Sequence, residues 1–99
     1  MATKVRRSSG NVFRDLGFPT EEAENLRIRA ELMVRLRKLI QARSLTQAGA
    51  AALLGISQPR VSDLFRGKID LFSIDTLVKM LARGGMRVSL VVQARSKVA

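Results

Sequence analysis

Apolar residues recur at helical spacing through the first half of the chain. Leu32, Met33, Leu36, Leu39 and Ile40 form one stripe, the i, i+3, i+4 pattern of an amphipathic helix facing a core. Pro19 and Thr20 mark its start, with Thr20 as N-cap, and Glu21, Glu22 and Glu24 fill its first turns. Arg35, Arg37, Lys38 and Arg43 gather toward its far end. Both ends complement the helix dipole, so a helix from Thr20 to about Arg43 is predicted.

A second block, TQAGAAALLGISQPRVSDLFRG from Thr46 to Gly67, predicts two short helices joined by a tight turn. Gly55 ends the first because glycine enters the left-handed region without a Cβ penalty. Ser57 is placed to cap the second helix, and Pro59 falls in its first turn, where a missing N–H does little harm. Val61, Leu64 and Phe65 are predicted to bury one face. Gln58, Ser62 and Asp63, with Arg60 beside them, form an opposite face without an apolar stripe. Ile69, Leu71 and Phe72 then cover the core. Ser73 caps a helix from about Ile74 to Arg83 with Leu77, Val78 and Leu81 inward, ended by Gly84 and Gly85.

The period changes after that. Met86, Val88, Leu90 and Val92 alternate with Arg87, Ser89, Val91 and Gln93, the two-residue repeat of a half-buried strand over about 86–93. A lone strand must find a partner edge: a second protomer, the segment around Val12 and Phe13, or another protein. At the opposite end, residues 1–10, MATKVRRSSG, are expected to form a disordered basic arm. Val12, Phe13, Leu16 and Phe18 are too apolar for a linker and are expected to dock on the domain. The expected organisation is a mainly α, small helical repressor-like domain over 11–99 with a C-terminal β-strand.

Gln47, Ala51, Gly55 and Val61, with LFRG at Leu64 to Gly67, resemble the helix-turn-helix of phage-repressor-type regulators, the Xre or Cro-repressor superfamily. The wider pattern over about residues 10–93, from NVFRDLGF to MRVSLVV, is similar to the small HigA-like antitoxins of toxin–antitoxin operons. That resemblance implies a dimeric repressor of its own operon that also binds a RelE-like mRNA-cleaving toxin. A stand-alone phage or restriction-modification repressor without a toxin shares the same motif. Gly49 departs from the family pattern, since a good helix former is expected there and glycine costs about 1 kcal/mol relative to alanine in a helix interior.

Composition narrows the chemistry. The chain has 99 residues, no Cys and no His, which removes disulfides, thiol chemistry and the usual base and metal ligand. Its eight carboxylates are scattered and no enzyme is expected, nor any cofactor or metal. No apolar run reaches the ~18 residues of a membrane span, and nothing argues for export, so a cytoplasmic, nucleoid-associated protein is expected. The net charge of +10 calls for an anionic partner. Residues 1–19 carry +3 and residues 84–99 carry +3, whereas residues 46–67 carry only +1. This fits a division in which flanking Lys and Arg hold phosphates while the motif's polar groups address base edges of double-stranded DNA.

Residue roles follow. Gln47 matches the family position whose amide bonds a DNA phosphate and braces the recognition side chain. Gln58 is the foremost candidate for base reading, since its amide can pair with adenine N6 and N7 in the major groove. Pro59 is placed for a thymine methyl, and Ser62 and Asp63 for deeper base edges. Asp63 either accepts from cytosine N4 or pairs with Arg60 or Arg66. Arg60, Arg66 and Lys68 are candidate phosphate contacts, and Ser57 caps the reading helix. Pairing of Met86, Val88, Leu90 and Val92 across a two-fold axis would set two reading helices about 34–36 Å apart, matching a palindromic operator.

Overall fold

The structure, a computed structural model, describes residues 10–94; the basic arm expected at the N-terminus lies, but for Gly10, outside the described residues. Five α-helices follow one another: α1 (Val12–Asp15), α2 (Thr20–Ala42), α3 (Gln47–Leu54), α4 (Gln58–Phe65) and α5 (Ile74–Arg83), with a 3-10 turn at Ile69–Leu71 before α5. Helix α2 is the spine, 23 residues and so about 34 Å long.

The stripe on α2 is buried as its spacing predicts: Leu32, Met33, Leu36, Leu39 and Ile40 join Ala50, Leu54, Val61, Leu64, Phe72, Leu77, Met80 and Leu81 in one core. Helices α3 and α4 pack on one another, and α5 lies against both α2 and α3. The helix begins one residue earlier than expected. Pro19 is its N-cap, without a side-chain cap bond, and Thr20 is its first helical residue. Its end carries no glycine. Ser44 takes the left-handed conformation at φ 51°, and the Leu45 N–H reaches back to the Ile40 carbonyl at 3.1 Å. Leu45 then packs on the core, so the apolar contact offsets the strain at Ser44.

The segment before α2 docks differently from its apolar pattern. Val12 and Leu16 are 60% and 70% exposed, and Phe18 is also exposed, its ring meeting that of Phe13 edge-on at 6.2 Å. The anchor is Asn11, buried at 5% exposure. Its Oδ1 accepts from the N–H groups of Phe13 (2.9 Å) and Arg14 (3.3 Å), and its Nδ2 donates to the Ala23 carbonyl at 3.0 Å. One side chain thus starts α1 and ties it to α2. Asn11→Ala is expected to cost about 1–2 kcal/mol through the lost cap and buried hydrogen bond. In calorimetry that lowers Tm by roughly 4–16 °C; an unchanged Tm would show that the segment docks by other means.

The expected C-terminal strand is not formed. Among the described residues there is no strand at all, and residues 86–94 carry no regular secondary structure. The reason lies in the pattern itself, because alternation encodes a sidedness but not a second edge, and a strand's backbone groups need one. Val88 packs against the core, beside a cleft of about 260 Å³ lined by Glu31, Leu32, Arg35 and Leu81. Beyond it the alternation is not used: Leu90 is 84% and Val92 93% exposed, with Val91 at 81% between them. Met86, Val88, Leu90 and Val92 therefore do not share a buried face within this chain. Two other apolar residues expected in the core, Phe65 and Leu71, are exposed.

Candidate nucleic-acid interface

The two short helices are capped by side chains. Thr46 accepts from the Gly49 N–H at 3.0 Å, and Ser57 accepts from the Arg60 N–H at 3.3 Å. The turn between them is made by Gly55 in the left-handed conformation, φ 73°. The glycine at Gly49 also has a local setting, since a Cβ there would come 3.3 Å from the capping Thr46 hydroxyl. Helix α4 buries Val61 and Leu64 completely, and that inner face fixes the rotation of the helix.

Its outer face follows from 3.6 residues per turn. Gln58 and Pro59 are exposed and Ser62 half-buried, and Gln47 is exposed at the first position of α3. Phe65 lies on the flank of this face, next to Ser62, and is 39% exposed. The i, i+3, i+4 spacing of Val61, Leu64 and Phe65 predicts burial of all three; Phe65, at the edge of that stripe, stays exposed. An aromatic edge there suits a thymine methyl.

Asp63 is paired with both neighbouring arginines. Its carboxylate stands 3.6 Å from the Arg60 guanidinium and accepts a 3.3 Å hydrogen bond from Arg66, with its side chain 18% exposed. Both arginines expected as alternatives to a base contact, Arg60 and Arg66, lie against it. Arg60 is further held with its Cζ 5.8 Å from the centroid of the Phe72 ring, a cation–π contact beneath α4. Arg66 and Lys68 are exposed at the helix end.

Three long-range contacts had no sequence signal. Arg29 of α2 donates to the Ile69 carbonyl at 3.2 Å, fastening the 3-10 turn to the spine. Arg43 donates to the Gly84 carbonyl at 2.7 Å, joining the end of α2 to that of α5. Arg83 lies across the Gly55 turn, where a Cβ on that glycine would stand 2.5 Å from its Nε. Gly84 itself fits between helices: a Cβ there would approach Leu39 Cδ2 to 3.0 Å and Leu54 Cδ2 to 3.5 Å. Among the described residues there is no cluster of metal-ligating side chains, and no helix is long and apolar enough to cross a membrane.

Comparison with known proteins agrees with this geometry. The family described as "Helix-turn-helix domain" matches residues 12–93. A solved structure of a protein assigned to the XRE family of transcriptional regulators superposes with a TM-score of 0.71 at 33% sequence identity, covering 79% of this chain and 88% of that chain. No curated protein matches. With a capped, glycine-turned helix pair at its centre and these likenesses over most of its length, the chain belongs to the helix-turn-helix domain family, that of XRE-type DNA-binding transcriptional regulators.

Proposed function

We propose that this chain is a sequence-specific repressor that lays α4 in the major groove of an operator and acts as a homodimer. The observation that carries this reading is the outer face of α4, on which Gln58 and Pro59 stand exposed at a capped helix start while Val61 and Leu64 anchor the opposite side. Gln58 reads a base edge, Phe65 and Pro59 offer apolar contacts, and Gln47, Arg66 and Lys68 hold phosphates. The protein binds rather than turns over its partner. Exposed Leu90, Val91 and Val92 give a second copy an apolar surface to cover. Fluorescence anisotropy with a duplex from the region upstream of its own gene and a random duplex of equal length tests the reading; equal affinity for the two at physiological salt would overturn sequence-specific recognition. Sedimentation tests the dimer.

The HigA-like resemblance extends the proposal to an antitoxin that neutralises a RelE-like toxin encoded beside it. Co-expression with the neighbouring frame and co-elution of the two products supports this; separate elution leaves a stand-alone repressor.

Asp63 supplies a further test. Asp63→Asn removes the charge that Arg60 and Arg66 share, so affinity for random duplex should rise several-fold and log K should fall more steeply with log salt, by up to about 0.9 in slope. A loss confined to the operator would instead make Asp63 a base reader.

A further inference from the structure

Charge along this chain is segregated. From residue 32 to 62 there is no acidic side chain, and none from 76 to 99. The ends of α2 and α5 lie within these two stretches and are joined where Arg43 donates to the Gly84 carbonyl. Its Nη2 also lies 3.7 Å from where a Cβ on Gly85 would be. Arg83, in the last turn of α5, spreads across the Gly55 turn, its Nε and Cζ 2.5 and 2.8 Å from the place of a Gly55 Cβ. Among the described residues the Arg83 side chain makes no hydrogen bond and no ion pair, in contrast to Arg27, Arg35, Arg60, Arg66 and Lys79, each of which faces a carboxylate.

A guanidinium laid across a backbone turn and paired with no carboxylate presents its donors to an anion. The turn that it covers leads in three residues to Gln58, a span of at most about 11 Å, so the anion would stand beside the start of the reading helix. We propose that Arg83 is a phosphate-binding residue of the DNA interface. It is contributed by α5 from outside the helix-turn-helix, and Arg43 is its positioning residue through the Gly84 carbonyl. Gly55 then has two duties: its φ of 73° makes the turn, and its missing side chain leaves the space that the Arg83 guanidinium occupies. The inference rests on the DNA-binding reading and adds to it a second phosphate anchor on the turn side of the motif, opposite Arg66 and Lys68 at the far end of α4. Capping of the α5 dipole by Arg83 is the competing account, and it makes no difference to salt dependence.

The test uses the full chain, the upstream duplex and the random duplex, with affinity measured against salt. Arg83→Ala should weaken binding to both duplexes by about fivefold at 0.15 M salt and lower the slope of log K against log salt by about 0.9, one phosphate contact by counterion release. Arg83→Lys should keep the slope. Arg27→Ala, which removes the same charge from the acid-rich half of α2, should leave it unchanged. If Arg83→Ala does not fold by circular dichroism, Arg83→Gln carries the same expectation. An unaltered slope in a folded Arg83 variant, or an equal drop in Arg27→Ala, overturns the proposal while wild-type binding stands. Failure of the wild type to bind either duplex overturns the DNA reading and this inference with it.

Discussion

Phe72→Ala is expected to destabilise the domain by about 3–5 kcal/mol, the cost of truncating a fully buried aromatic side chain. Phe72 is 1% exposed, the largest side chain in the core, and stands directly after the 3-10 turn that Arg29 fastens to α2. Against a typical total of about 5–15 kcal/mol for a native protein, that loss brings the domain close to unfolding. In thermal denaturation Tm should fall by at least about 12 °C. The variant has a second, local effect. Its ring supports the Arg60 guanidinium, so the truncated site leaves Arg60 held only by Asp63. Phe72→Leu separates the two contributions, since it keeps most of the apolar volume and removes the ring; it should recover most of the Tm but not the order of Arg60, which relaxation of the guanidinium Nε–H reports. A Tm within a few degrees of wild type for Phe72→Ala would mean that the 3-10 turn and α5 are held to the spine without it.

Gln58→Ala should reduce discrimination between operator and random duplex by about 1–3 kcal/mol, the worth of one bidentate amide–adenine pair, which is roughly 5- to 150-fold in the affinity ratio. Affinity for random duplex should hardly change, because the residue is uncharged and exposed. Arg66→Ala should behave in the opposite way, lowering affinity on both duplexes and flattening the salt dependence, although less than a free arginine would, since Arg66 already shares the Asp63 carboxylate. The pair of variants therefore separates base reading from phosphate holding. Equal losses on operator and random DNA for both would show that Gln58 does not read a base.

The reading helix and its turn were legible because each device is local. A glycine that bends left-handed, a serine that caps three residues ahead, and a proline in a first turn each act over four residues or fewer, so spacing alone identified Gly55, Ser57 and Pro59. The stripe on α2 was legible for the same reason, since burial at i, i+3 and i+4 is a property of one helix. Element ends were less so. Ser44 closes α2 without glycine because Leu45 finds a place in the core, and only the packed core decides that.

The errors have a common form. The apolar segment around Val12 and Phe13 docks on α2 as expected, but its buried anchor is the amide of Asn11, while Val12, Leu16 and Phe18 stay exposed. Phe65 and Leu71 follow the apolar rule and remain exposed, while Val61, Leu64 and Ile69 beside them pack in or against the core. The alternation from Met86 to Val92 describes a surface without naming what covers it, and a single chain offers no second strand edge.

By itself, then, the sequence determined helices α2 to α5, the turn at Gly55, the buried stripe of α2 and the burial of Val61 and Leu64 on α4, all of which depend on residues within a turn or two of one another. The tertiary structure alone decided where the positive charge stands. It joined Arg43 to the end of α5, laid Arg83 over Gly55 and set the Phe72 ring beside the Arg60 guanidinium. The first two join residues some thirty to forty positions apart. Such contacts are fixed by how helices pack, and no periodicity along the chain encodes them.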